Sequence, residues 1–187
     1  MIAARRAVAI ARLALRSCAF GLHKCVPFRE RVGGRRDGDF VQDPVHENAE
    51  FGAACRMVLV ESTVWIDLLR KRQTTAVARL RKLLELGEAA AAPVIMQEVV
   101  QGASNARAFA ALHRYFAGLP LLGRDHAVEL HVAAAELYAR ARWRAVTPRS
   151  PHDCLIAATA LFADVPLLHD DRDFERLAGV EPRLKLV

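Results

Sequence analysis

The chain has 187 residues, enough for one domain with a full hydrophobic core and too few for two. Its composition, 53% hydrophobic and 26% charged, excludes wholesale disorder, and no apolar run reaches the roughly 20 residues that a bilayer-spanning helix needs. The net charge of +6 favours acidic partners such as nucleic acid, but residues 1–56, with 10 basic and 6 acidic side chains, carry most of it and leave only +2 on residues 57–187.

Residues 1–25 are rich in Arg and Ala and free of acids, superficially like an organellar transit peptide, and Arg12 and Arg16 interrupt the apolar core that a secretory signal needs. Residues 30–50 are Gly-rich and charged with no period of 2 or 3.6, as expected of a disordered linker. Strong patterning begins at Met57. Residues 1–56 are therefore expected to be a disordered extension or an over-extended start, and residues 57–187 the domain. Cys18, Cys25, Cys55 and Cys154 form no CxxC pair, which fits a reduced, cytoplasmic compartment. Cys18, His23 and Cys25 match no closed zinc site and lack a fourth ligand.

From Met57 on, short apolar runs alternate with helical text. The patterning predicts a strand at 58–60, a helix at 62–70 capped by the Ser62/Thr63 pair, a helix at 76–86 ended by Gly87, and a strand at 89–92. Next come helices at 94–102 and 105–116, the second capped by Asn105 and closed by Gly118, and a strand at 119–122. A long helix follows from about Asp125 to Trp143, with Asp125 placed to suit the helix dipole. A helix at 151–163, a strand at 165–168, a short helix at 173–178 and a strand at 184–186 complete the series. This alternation predicts an α/β fold with a mostly parallel sheet. Trp65, Val64, Leu68 and Leu69 read as a core or dimer face.

Four acids stand out against this frame. Glu61 directly follows the first strand and Asp171 follows the strand at 165–168, at the sheet edge where ligands gather in parallel α/β folds. Glu98 and Asp153 interrupt apolar helical text. Taken singly, Glu61 and Asp153 can cap helices, Glu98 can pair with an arginine and Asp171 can sit in a turn. As a converging set they conflict, since two carboxylates about 4 Å apart at an effective dielectric near 20 repel by roughly 4 kcal/mol. A divalent ion resolves the conflict, and oxygen ligands of this kind suit Mg²⁺ or Mn²⁺.

The runs VLVESTVWIDLLR, PVIMQEVVQGA, SPHDCLIAATAL and VPLLHDDRDFERLA resemble, in order and spacing, the four motifs of PIN domains of the VapC toxin kind. The resemblance implies a PIN-like α/β/α sandwich and a Mg²⁺ or Mn²⁺ cluster held by Glu61, Glu98, Asp153 and Asp171. Asp173 would be an accessory and Thr63 a supporting hydroxyl. It further implies an endoribonuclease, the toxin of a type II toxin–antitoxin pair, with RNA as substrate, a VapB-type antitoxin as partner, a homodimer and no membrane. One departure matters: the family's first acid is normally Asp, and Glu61 is longer by a carbon–carbon bond of roughly 1.5 Å. A shift near 1 Å in a catalytic site can cost about 100-fold in rate.

Arg140, Arg142, Trp143, Arg144 and Arg149 form a basic cluster with an aromatic that could stack on a base. Arginines at a helix C-terminus also suit its dipole and face solvent. His152 and His169 flank the acids and could tune them. The rival reading is a catalytically weakened PIN-like module that binds RNA or antitoxin without efficient cleavage. A structure-specific DNA nuclease finds no extra helical arch here.

Overall fold

The structure is a computed structural model that describes residues 57–187. The expected extension at 1–56, with Cys18, His23, Cys25 and Cys55, lies outside the described residues.

Val58, Leu59 and Val60 form β1 (Val58–Val60) and are all buried. A strand with no polar face must be covered on both sides, and β1 is the centre of a parallel sheet. It pairs with β2 (Ala89–Ala90) and β3 (Leu167–Leu168), in the order β2-β1-β3, with Leu59 opposite both Ala90 and Leu167. Single parallel bridges extend the ladder, Ala91 to Leu121 beside β2 and Leu167 to Leu186 beside β3.

The strands expected at 119–122 and 184–186 thus shrink to one bridging residue each, and the local backbone explains why. Pro120 has no N–H to give, and Leu119 N–H turns back to Phe116 O at 3.1 Å, so only Leu121 aligns with β2. Leu184 N–H likewise turns back to Glu181 O at 3.0 Å before the chain meets β3.

Seven helices flank the sheet among the described residues: α1 (Ser62–Leu69), α2 (Thr75–Leu86), α3 (Pro93–Val100), α4 (Ala106–Ala117), α5 (Ala127–Trp143), α6 (Pro151–Phe162) and α7 (Arg172–Val180). Local signals set most of their ends. Thr74 Oγ1 accepts from Val77 N–H at the start of α2, and Gly87, at φ 71°, closes it in the left-handed conformation. Asn105 Oδ1 accepts from Ala108 N–H at 2.9 Å and caps α4 as expected. The long helix starts later than expected. A turn from Gly123 O to His126 N–H holds Asp125 outside it, and His126 takes the cap position without a side-chain bond.

Trp65 anchors α1 on the core: it is buried, its Nε1 donates to Val60 O at 3.0 Å, and its ring meets the Phe116 ring edge-on at 5.1 Å. Burying an aromatic of this size contributes on the order of 2–3 kcal/mol and fixes α1 against the end of β1. The most extensive helix–helix contact among the described residues is between α5 and α6. The C-terminal ends of β1 and β3 and the starts of α1, α6 and α7 therefore meet at one end of the molecule.

Candidate active site

Glu61 leaves β1 and caps α1 itself, in place of the Ser62/Thr63 pair expected there. Its Oε2 accepts from Thr63 N–H at 2.6 Å, and its Oε1 accepts from Asp170 N–H at 3.3 Å, tying the end of β1 to the chain after β3. Glu61 is only 3% exposed. Burial pushes its carboxyl up to about 7 despite the bonds from Thr63 and Asp170, and the negative charge of Asp171 adds to the rise.

Ser62, released from capping, donates from Oγ to Glu98 Oε2. The other oxygen of Glu98 lies 2.8 Å from His152 Nδ1. Glu98 on α3 is thus oriented by one side chain from α1 and one from α6, and its partner is a histidine rather than the arginine that its sequence context allowed. Ser62 was not foreseen as part of the site, because a Ser at a helix start reads first as a cap.

Asp153 completes a capping box at the start of α6. Ser150 N–H donates to Asp153 Oδ2 at 3.3 Å, and Ser150 Oγ accepts from His152 N–H at 3.1 Å. Its carboxyl is pushed up to about 6, by burial first, with the charges of Asp171, Asp173 and Glu98 adding to the rise against the Ser150 backbone bond. Asp171 caps α7 through Asp173 N–H at 3.0 Å. Arg149 Nη2 lies 2.5 and 2.6 Å from the two Asp171 oxygens, while its Nε donates to Asp173 Oδ2 at 2.7 Å. Arg176 holds the other Asp173 oxygen at 3.0 Å. Asp173 is buried, and chiefly the Arg149 hydrogen bond keeps its carboxyl below the usual range.

The ordinary capping roles of Glu61, Asp153 and Asp171 are real, and the same residues also share one electrostatic neighbourhood. Asp153 feels Glu98, Asp171 and Asp173, and Glu61 feels Asp171. The convergence stops short of a formed coordination group: among the described residues no three His, Cys, Asp or Glu side chains are gathered closely enough to hold a metal ion. The donor chemistry nonetheless fits Mg²⁺ or Mn²⁺. The donors are all carboxylate oxygens, and Glu61 and Asp153 ionise reluctantly because of burial first and neighbouring negative charge second. Cys154, next in sequence, is no candidate nucleophile, since burial pushes its thiol up to about 11.

The basic cluster separates into two groups. Arg140 pairs with Glu181 at 2.9 Å, Arg144 Nη1 donates to Val180 O at 3.0 Å, and Arg149 is held by the two acids. Arg142 and Trp143 stand in solvent, Trp143 at 80% exposure. His169 Nδ1 lies 2.9 Å from the backbone oxygen of Asp171 and helps shape that turn.

Comparison with known proteins agrees with this architecture. Residues 58–180 match the PIN domain model. The chain is 34% identical over 126 residues to a VapC ribonuclease of Mycobacterium bovis, spanning 66% of this chain and 93% of that protein. Ribonuclease VapC11 of Mycobacterium tuberculosis matches with the same identity and coverage. The chain belongs to the PIN domain family, among its VapC-type members.

Proposed function

We propose that the chain is a metal-dependent endoribonuclease, the toxin of a type II toxin–antitoxin pair, that hydrolyses RNA phosphodiester bonds in the cytoplasm. One observation carries the proposal: Glu61, buried just past β1, and the half-buried Asp153 at the start of α6 lie within electrostatic reach of acids on α3 and at the start of α7, at the ligand-binding end of a parallel sheet, and burial raises their carboxyls to about 7 and about 6. Similarity to proteins named as VapC ribonucleases supports the substrate class and a VapB-type antitoxin as partner. A homodimer belongs to the same reading. No helix among the described residues is long and apolar enough to cross a membrane.

In this reading Glu61, Glu98, Asp153 and Asp171 hold one or two Mg²⁺ or Mn²⁺ ions, with Asp173 as the accessory acid. A bound ion supplies Lewis acidity, polarising water for in-line attack and drawing charge from the phosphate oxygens. The chain's own part is orientation. The amides of Thr63 and Asp170 fix Glu61, Ser62 and His152 fix both oxygens of Glu98, and the Ser150 amide fixes Asp153. Side chains locked in this way place their oxygens without reorganisation when substrate arrives. In the same reading the exposed Arg142 and Trp143 would meet RNA, one as a charge and the other as a stacking surface.

A second reading keeps the fold and weakens the chemistry: a module that binds RNA or antitoxin and cleaves poorly. The longer Glu61, together with the incomplete gathering of acids, favours it. Incubating total RNA with the purified protein, with Mg²⁺ or with chelator, decides between them. Mg²⁺-dependent cleavage that is lost in Asp153→Asn supports the nuclease. RNA binding without cleavage by the wild type supports the weakened module, and a rise in cleavage in Glu61→Asp would trace the weakness to that residue.

A further inference from the structure

Arg149 lies just before α6 and holds two acids at once, at different depths. Its inner end is an anchor: Nε and the backbone N–H donate to Asp173 Oδ2 at 2.7 and 3.2 Å, and the Asp173 side chain is 2% exposed. Its outer end, Nη2, spans both oxygens of Asp171, whose side chain is 30% exposed, as against 69% for Arg149 itself. An ion pair open to water exchanges partners at little cost, whereas one made to a buried carboxylate does not. Arg176 gives Asp173 a second cation, whereas among the described residues Arg149 alone forms an ion pair with Asp171.

We infer that Arg149 is a resident counter-cation that competes with a divalent ion for the Asp171 carboxylate and stays anchored through Asp173 when Asp171 is released. The inference rests on the metal reading above. While the guanidinium occupies both Asp171 oxygens, that carboxylate has little left to offer a metal, and the positive charge also repels an approaching divalent ion. Among the described residues no guanidinium is bonded to Glu61, Glu98 or Asp153, so Asp171 is the one acid of the four that an arginine holds.

Titration with Mn²⁺, read as the free ion by electron paramagnetic resonance and independently by calorimetry, tests this without any cleavage assay. Arg149→Gln, which keeps the backbone bond to Asp173, is expected to bind Mn²⁺ about fivefold to tenfold more tightly than wild type. Arg149→Lys, a guard against misfolding of the first variant, retains the charge without the fork and is expected to tighten binding by about twofold. Arg176→Gln removes a neighbouring cation that touches only Asp173 and is expected to leave the affinity unchanged. Equal or weaker affinity in both Arg149 variants overturns the inference while leaving the metal reading in place. No Mn²⁺ binding by any of the four proteins overturns both.

Discussion

Glu61 and Glu181 are both buried carboxylates, 3% and 4% exposed, yet they sit at opposite ends of the acidity range. Glu181 is held down at about 2, chiefly by its hydrogen bonds to Arg183 and then by Arg140, which clamp the end of α7 to α5. Glu61 receives the backbone amides of Thr63 and Asp170 and the Thr63 hydroxyl, all uncharged donors, and burial lifts it to about 7. The difference is in the partners rather than in the depth. Where an acid serves the fold, the chain supplies its cation; at the end of β1 it does not, and a buried acid left in that state marks a place where charge is to be met from outside.

The largest expected effect breaks the uncompensated side directly. Asp153→Asn should lower Mg²⁺-dependent RNA cleavage by about 100-fold to 1000-fold, on the scale of losing one preorganised electrostatic group. The metal-free variant should at the same time be more stable than wild type at pH 8, because Asn can still cap α6 and carries no charge to bury. Chemical denaturation in the presence of chelator checks the second half, and loss of both activity and stability would contradict it.

Next in size is a pH effect of opposite sign in the two regions. The folded-state value of Glu61 is raised above its ordinary 4.5, so its contribution is fully present below pH 4.5 and is lost as pH rises through about 7, a change of about 3 kcal/mol. Asp153 acts in the same direction through about 6. Glu181 is depressed, so its contribution is present above 4.5 and lost as pH falls toward 2. Metal-free protein should therefore be more stable near pH 5 than at pH 8, and should unfold in strong acid. A stability profile rising from pH 5 to pH 8 would break the comparison.

Glu181→Gln attacks the compensated side. It should cost about 1–2 kcal/mol, because Arg140 and Arg183 are partly exposed and the pairs are screened accordingly, and it should leave Mg²⁺ dependence as it was. The smallest effect belongs to Trp143→Ala. With 80% of the residue in solvent, stability should change by less than about 0.5 kcal/mol. RNA affinity, followed by fluorescence anisotropy, should fall by about fivefold or more, as expected for losing one base-stacking surface.

The sequence disclosed those features that are local. Gly87 and Asn105 mark helix ends by their own chemistry, and the buried run Val58–Val60 marks a central strand because it has no polar face. The positions of Glu61 and Asp171 just past strands were readable for the same reason. What stayed hidden depends on partners far along the chain. Ser62 turns from its own helix to Glu98, Arg140 reaches Glu181, and Arg149 reaches Asp171 and Asp173, pairings that no short-range period encodes. The basic cluster at 140–149 was misleading on that account, since three of its arginines are spent on internal contacts.

The central claim is that the uncompensated acids are waiting for a divalent ion, and proton release on binding tests it most directly. At pH 6.5 the Glu61 carboxyl is largely protonated and that of Asp153 partly so, and a divalent ion binds only their ionised forms. Calorimetric titration with Mn²⁺ in two buffers of different ionisation enthalpy should show roughly one proton released per site by the wild type, most of it from Glu61, and markedly fewer, with weaker binding, by Glu61→Gln. Binding with no proton release, or binding unchanged by that substitution, would contradict the account.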